Sequence, residues 1–171
     1  MKKIKLTQEK FALVDDEDYE YLNQWKWCAA FIKGGWYASR KETVGFKQEK
    51  NIFMHIIIMK TKEGEMVDHK DHNGLNCQKN NMRVCNSMQN SWNRKNKQNS
   101  YSKFKGVGWY SKTNKWVCRI TVHKKTIHLG YFCSEIKAAL VYDKAAQKHF
   151  GEFAYLNVVL RKKKPKILVS S

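Results

Sequence analysis

The chain has 171 residues, with 33 Lys or Arg against 15 Asp or Glu, a formal net charge of +18 and an isoelectric point near 9.7. That length allows one ordinary domain or two small ones, and the charge points to a polyanionic partner, nucleic acid ahead of an anionic membrane. No apolar run approaches a bilayer-spanning length, no apolar stretch follows the lysines of MKKIKLTQEK, and the five cysteines form no C-x-x-C pair, so no membrane span, signal peptide, disulfide framework or zinc site is expected.

Residues 1–60 read as β-rich, with apolar runs in WYASR and NIFMHIIIMK and a turn at Gly34-Gly35. The acidic cluster DDEDYE (15–20) lacks the ligand periodicity of a calcium loop and reads as a solvated turn or a helix start. From residue 66 the pattern is a hairpin with a long loop. EMVDH forms one strand, KDHNGLNCQKN is turn-rich around Asn73-Gly74, and NMRVC returns as the second strand. NSMQNSWNRK then offers Asn86 or Ser87 as a helix cap, with Met88 and Trp92 on one face. Residues 94–103 are polar and basic and read as a linker.

The next three apolar runs, FKGVGWY, KWVCRITV and KTIHLGYF, are strand-like and separated by short polar turns. In the second, Trp116, Cys118, Ile120 and Val122 alternate with Val117, Arg119, Thr121 and His123, the signature of a half-buried antiparallel strand with one apolar and one polar, partly basic face. SEIKAALVYDKAAQKHFG follows as a helix, with Ser134 as N-cap and Gly151 as stop. Charge is uneven: residues 101–171 carry 15 basic and 3 acidic groups, and no carboxylate lies between Asp71 and Glu135. The C-terminal part is therefore the main electrostatic footprint for a phosphate backbone, and residues 158–171 read as a flexible basic tail.

The segment from about 102 to 157, with its phrases HLGYF, AALVYDKAA and the closing LN, resembles the Apetala-two/ethylene-response-factor type DNA-binding domain. The resemblance implies a three-stranded sheet laid in the DNA major groove and backed by one helix. By position it puts Lys105, Gly108, Tyr110, Arg119, Thr121, Thr126 and His128 on the DNA face, with Tyr142 on the helix. Plant members carry several arginines and tryptophans on that face. This chain keeps mainly Lys105 and Arg119, which favours phosphate contacts with looser base specificity. A face poor in paired surface aromatics argues against an RNA stacking platform.

The segment from about 52 to 95, MHIIIM…VDHKDHNGLNCQKNNMRVCNSMQNSWNRK, resembles the HNH nuclease unit of phage and bacterial homing endonucleases. The family pattern is Asp-His at the end of one strand, Asn on the next, and Asn or His on the helix. It falls here on Asp68-His69, Asn81 and Asn90. The resemblance implies a site-specific DNA endonuclease that cuts or nicks duplex DNA, leaves 5′-phosphate and 3′-hydroxyl ends, and serves intron mobility. The alternative is a non-catalytic DNA-binding regulator with a degenerate nuclease unit.

Phosphodiester hydrolysis needs a base for water, and a neutral histidine suits that task near pH 7. His69 is the expected base. Asp68 and Asn90 offer two hard oxygens that suit Mg2+, with Mn2+ able to substitute, better than zinc. Asn81 is expected to orient His69 or the loop, and His72 is kept as a possible DNA contact in the turn. His55 reads as a hydrogen-bonded core histidine. Arg94, Lys95 and Lys97 of the linker are expected to follow the DNA.

The expected fold is α+β. Residues 1–93 form an N-terminal β-rich region with the ββα-metal core at about 52–95, followed by a basic linker at 94–103. A three-stranded antiparallel sheet on one helix occupies 104–157, and the tail 158–171 ends the chain. The expected working form is a cytoplasmic monomer on double-stranded DNA, in a bacterial or phage-infected cell.

Overall fold

The structure is a computed structural model that describes residues 1–45, 48–96 and 100–157. The fold is mixed α/β with several small sheets. It divides into two compact units after Asn90. Lys97 and the whole tail 158–171 lie outside the described residues.

The first unit opens with β1 (Lys2–Lys5) paired antiparallel to β2 (Phe11–Val14). Ile4, Ala12 and Val14 are buried while the residues between them are more open, the period-two pattern of a strand pair with one face on a core. Helix α1 (Asp16–Leu22) starts inside the acidic cluster, so three carboxylates occupy its first turn, where the helix dipole favours them. A meander of β3 (Cys28–Ile32), β4 (Gly35–Thr43) and β5 (Glu49–Phe53) follows.

The run NIFMHIIIM, read above as part of a β-rich start, divides. β5 ends at Phe53 and α2 (Met54–Met59) begins at the next residue. Met54 and Ile58, four apart, are its buried positions, and burial of that stripe outweighs the β preference of three consecutive isoleucines. The hairpin of β6 (Met66–His69) and β7 (Met82–Cys85) comes next, antiparallel and in register from Met66–Cys85 to His69–Met82. Helix α3 (Ser87–Trp92) follows. It starts on a reciprocal capping box: the Asn86 amide donates to the Gln89 side chain, and the Gln89 amide donates to Asn86 Oδ1, both at 2.9 Å.

The second unit is a three-stranded antiparallel sheet in the order β10–β9–β8, built from β8 (Val107–Tyr110), β9 (Lys115–Val122) and β10 (Lys125–Phe132). Helix α4 (Glu135–Phe150) covers one face. Its N-cap is Ser134 and its stop is Gly151, as the sequence indicates. Ala138, Ala139 and Ala146 let the helix sit close to Cys118 and Ile120 of β9. Asn157, the last residue of the family-like phrase, is buried and ties the chain end down. It accepts from the Lys105 amide at 2.9 Å and donates its own amide to Asp143 Oδ1 at 2.7 Å.

Two side chains of the stretch 94–103 are bonded within the second unit. Asn96 donates to the carbonyls of Ser102 and Phe104, and the Ser102 hydroxyl, fully buried, donates to Glu135. These polar side chains serve turns and caps of the second unit, a use that composition cannot separate from a solvated linker.

Gly106 is the tightest point of this unit. Its φ is +77°, and a Cβ there would lie 2.0 Å from the Tyr142 ring and 2.7 Å from the Arg119 carbonyl oxygen. Gly106→Ala combines overpacking with left-handed strain and should cost on the order of 3 kcal/mol. Thermal melting of the second unit reads this, and an unchanged midpoint would contradict the packing described.

Candidate active site and nucleic-acid interface

The stretch between β6 and β7 carries no regular structure, yet it is densely bonded. Asp71 is its hub. Its carboxylate accepts from the Asn73 amide (2.8 Å), Asn76 Nδ2 (2.8 Å) and Asn81 Nδ2 (3.0 Å), while Asn81 Oδ1 accepts from the Asp71 amide (3.1 Å). Burial works to raise the Asp71 pKa, but these hydrogen bonds and the nearby His69 outweigh it and hold the carboxyl below its usual range. Asn81 also donates to the Asn76 carbonyl, so of its two expected duties the side chain takes the loop.

The loop is anchored on the rest of the unit as well. The Leu13 amide donates to the Leu75 carbonyl and the Cys77 amide to the Leu13 carbonyl, both at 2.8 Å, so the outer edge of β2 receives the loop at an isolated parallel bridge between Leu13 and Asn76. Asp15 accepts from Gln78 Nε2 and the Lys79 amide. That gives the first residue of the acidic cluster a structural task that the sequence does not disclose. Gly74 is buried, and a Cβ on it would meet the Trp36 carbonyl oxygen at 2.5 Å. Close approach to β4, rather than a left-handed turn, is what requires glycine there. His72 has a φ of +63° and sits half-buried in the loop.

Asp68 and His69 are both buried at the end of β6. Strand alternation sends them to opposite sides. Asp68 lies directly across the ladder from Arg83, whose Nε and Nη2 reach Asp68 Oδ2 at 2.8 and 2.5 Å. Met66 shares the Asp68 side of the strand, and Asn90 Nδ2 lies 3.9 Å from Met66 Sδ, which puts Asn90 toward the same face. His69 turns instead toward His55, with ring centroids 5.3 Å apart and edge to face, and toward Tyr37 at 6.0 Å. Burial lowers the His69 pKa below its usual value, opposed in part by Asp71 and Asp68.

His55 stacks on Phe53, and burial with the neighbouring His69 brings its pKa to about 3. It was expected as a hydrogen-bonded core histidine. Instead its Nδ1 is buried with no hydrogen-bond partner among the described residues, and the ring contributes to the packing around His69.

Asp68 and Asn90 are the residues that could hold a hard cation, through a carboxylate and an amide oxygen. Among the described residues, no group of three or more His, Cys, Asp or Glu stands ready to hold a metal. All five cysteines are free, and Cys77, Cys85 and Cys118 are buried.

In the second unit, Arg119, Thr121, Thr126 and His128 are exposed and alternate with the buried Cys118 and Ile120, so they share the sheet face turned away from α4. Thr121 and Thr126 are cross-strand partners with their hydroxyl oxygens 3.1 Å apart. Gly108 lies opposite Val117, and the Tyr110 ring reaches Tyr131 across that row at 5.3 Å. A bulge between His128 and Gly130 turns Tyr131 to this face, 4.6 Å from the His128 ring. The face is thus richer in aromatic contacts than the sequence suggests, and Tyr131 is absent from the expected contact set. Gly130 inside the strand was the available signal.

Lys105 departs from expectation. Its ammonium donates to the carbonyls of Trp92 (2.6 Å) and Ser91 (3.4 Å) at the end of α3, and burial brings its pKa down to about 8. It serves as a cation on helix-terminal carbonyls rather than as an open phosphate contact. Arg94 and Lys95 are exposed.

No family model matches the chain. It is 28% identical over 149 residues to an uncharacterized HNH endonuclease of Acanthamoeba polyphaga mimivirus, covering 87% of this chain and 75% of that protein. It is also 54% identical over 39 residues to an ethylene-responsive transcription factor-like protein of Arabidopsis thaliana, covering 23% of this chain and 17% of the plant protein.

Two outcomes follow from these contacts. Asp71→Ala removes the acceptor of three hydrogen bonds and should cost about 2 kcal/mol. Because the folded pKa lies below the unfolded one, the Asp71 contribution is complete above the unfolded value, near 3.8, and disappears as pH falls through the folded value. Urea unfolding of the parent and variant should therefore differ at neutral pH and converge in acid; a gap that persists unchanged in acid would refute the assignment. Lys105→Ala should lower the melting point of the second unit while leaving the salt slope of DNA binding unchanged. A slope reduced by about one would return Lys105 to the phosphate contacts.

Proposed function

We propose that the protein is a metal-dependent, site-specific DNA endonuclease of the homing HNH type, in which residues of the first unit nick one strand while the second unit's sheet holds duplex DNA. The observation that carries this reading is His69, a buried imidazole beside Asp68 at the end of β6, in a chain similar to an HNH endonuclease over most of its length. Its lowered pKa keeps the ring neutral at physiological pH, as a general base requires.

His69 accepts a proton from the attacking water. The water oxygen bonds to phosphorus as the bond to the 3′ oxygen breaks, leaving a 5′-phosphate and a 3′-hydroxyl. Asp68 and Asn90 would hold Mg2+ or Mn2+, which when bound supplies Lewis-acid stabilisation of the phosphate and leaving oxygen. Asn81 acts through Asp71, fixing the loop in which His72 faces the substrate. Tyr37 and His55 pack the His69 ring into one orientation. Arg119, Thr121, Thr126, His128, Gly108 and Tyr110 meet DNA from the sheet, with Arg94 and Lys95 tracking phosphates beside it. The protein works as a monomer in the cytoplasm, in support of intron mobility.

A second reading, a DNA-binding regulator with a degenerate nuclease unit, draws on one observation. Asp68 already has a guanidinium on Oδ2.

Plasmid cleavage decides between them. Supercoiled DNA should become nicked circles with Mg2+ and stay intact in EDTA, and His69→Ala should lower the rate by at least about 100-fold. Activity should persist below pH 6.5, since the His69 pKa is lowered from that value, and fall with a one-proton slope in stronger acid. Binding should weaken steeply as salt rises. Undiminished nicking by the His69 variant would remove the catalytic assignment, and no cleavage at any Mg2+ concentration would favour the regulator.

A further inference from the structure

Asp68 and Arg83 form the most enclosed ion pair among the described residues. Their side chains retain 7% and 11% of their exposure. They sit directly opposite each other in the β6–β7 ladder, and two guanidinium nitrogens converge on a single carboxylate oxygen. The contact is short, held by two rigid strands and withdrawn from water, so it is a firm one.

The same carboxylate is the one charged ligand assigned to the divalent cation. A cation bound through that oxygen would stand within a few ångströms of the guanidinium, and in a partly desolvated setting like charges at that separation repel strongly. Nor can Asp68 stand alone, because a buried carboxylate stripped of its partner is costly. The carboxylate therefore has one cationic partner at a time, and something must compensate Arg83 for leaving. A DNA phosphate can: guanidinium groups bind phosphate through paired hydrogen bonds, and arginine is favoured wherever that fork geometry is needed.

We infer that Arg83 gates metal loading: in the DNA-free protein it holds the Asp68 carboxylate, and a backbone phosphate arriving at the site draws its guanidinium away and frees that carboxylate for the divalent cation. This rests on the reading of Asp68 as a metal ligand. Arg83 then acts as a positioning residue, and the exchange conserves charge, each cationic group ending beside an anion. Metal and DNA would bind cooperatively, each tightening the other by the same factor. The arrangement would leave the nuclease unloaded away from its substrate.

The test is Mn2+ binding to the full-length protein, followed through the electron paramagnetic resonance signal of free Mn2+, with and without a random-sequence duplex. The parent should bind Mn2+ weakly alone and at least about 10-fold more tightly with the duplex. Arg83→Gln should bind Mn2+ at least about 10-fold more tightly than the parent without DNA, and gain less from the duplex than the parent does, the remainder being the phosphate's own ligation. The double variant Asp68→Asn/Arg83→Gln should lose this tight binding.

Removal of Arg83 destabilises the hairpin, so melting is recorded in EDTA and in Mn2+. A midpoint for Arg83→Gln that Mn2+ restores supports the gate, since the ion then replaces the lost guanidinium. If the glutamine variant fails to fold in either condition, Arg83→Lys takes its place, and the smaller lysine head should leave a Mn2+ affinity above the parent's. Variants that bind Mn2+ no better than the parent, or that keep the full duplex effect, overturn the inference and make the pair a fixed structural one. The outcome separates from that of the nuclease reading. Tight Mn2+ binding by the variant without cleavage by the parent leaves the gate standing and removes the nuclease, whereas Mg2+-dependent cleavage by the parent with unresponsive variants does the reverse.

Discussion

The reciprocal bond between Asp71 and Asn81 is the contact on which the first unit's organisation turns. It closes the segment between β6 and β7 across its base, the Asn81 side chain engaging both the backbone amide and the carboxylate of Asp71. An irregular stretch of that length ordinarily has many conformations, and ordering it costs entropy at every residue. Here Asn73 and Asn76 add further bonds to the same carboxylate, so one ionised group fixes several turns at once. A loop held this way can offer its Leu75–Cys77 edge to β2, and the N-terminal hairpin is thereby joined to the segment bearing Asp68 and His69. The second Asp-His pair of the sequence thus supports the first. Asp71 is scaffold.

From that scaffold, the end of β6 separates two electrostatic settings within one peptide unit. On one side, Asp68 lies against a guanidinium and stays within the reach of polar and charged groups. On the other, His69 is packed among His55 and Tyr37, where the surroundings disfavour a positive charge. The same holds for His55, whose protonation is opposed by burial and by the neighbouring His69. In the proposed role, these two settings let neighbouring residues take different tasks, a ligand for a cation and a base for water. The pleat of a strand supplies that separation without any special backbone geometry.

The second unit was the more legible in sequence, for a physical reason. A half-buried antiparallel strand imposes strict alternation, and β9 and β10 fall where KWVCRITV and KTIHLGYF place them. Helix α4 is bounded by Ser134 and Gly151, whose side chain and backbone freedom act locally. What escaped the sequence depended on distant partners. The split of NIFMHIIIM into strand and helix follows from which stripe meets the core, and two apolar periods overlap in so short a run. Asp15 bonds to residues more than sixty positions away. Arg83 looks like an ordinary strand arginine until its register partner is known. The bulge that re-aims Tyr131 announces itself only through Gly130.

Moving Lys105 off the free sheet face alters the kind of recognition that face can perform. Among the described residues it carries the Arg119 guanidinium, Lys115 at the start of β9, a pair of threonine hydroxyls and a tyrosine–histidine ring group. In the proposed role, the hydroxyls and rings answer to the shape, hydrogen-bond pattern and methyl groups of a groove more than to its charge. Further exposed cations lie at the turn and strand ends, at Lys112, Lys124 and Lys125. In the proposed role, charge and readout are thus carried by different parts of one small sheet. The lysines supply the salt-sensitive share of affinity, and the Arg119–Tyr131 surface supplies orientation on the duplex. Looser specificity then follows from having few charged, bidentate readers on the face, even though the chain as a whole is strongly basic.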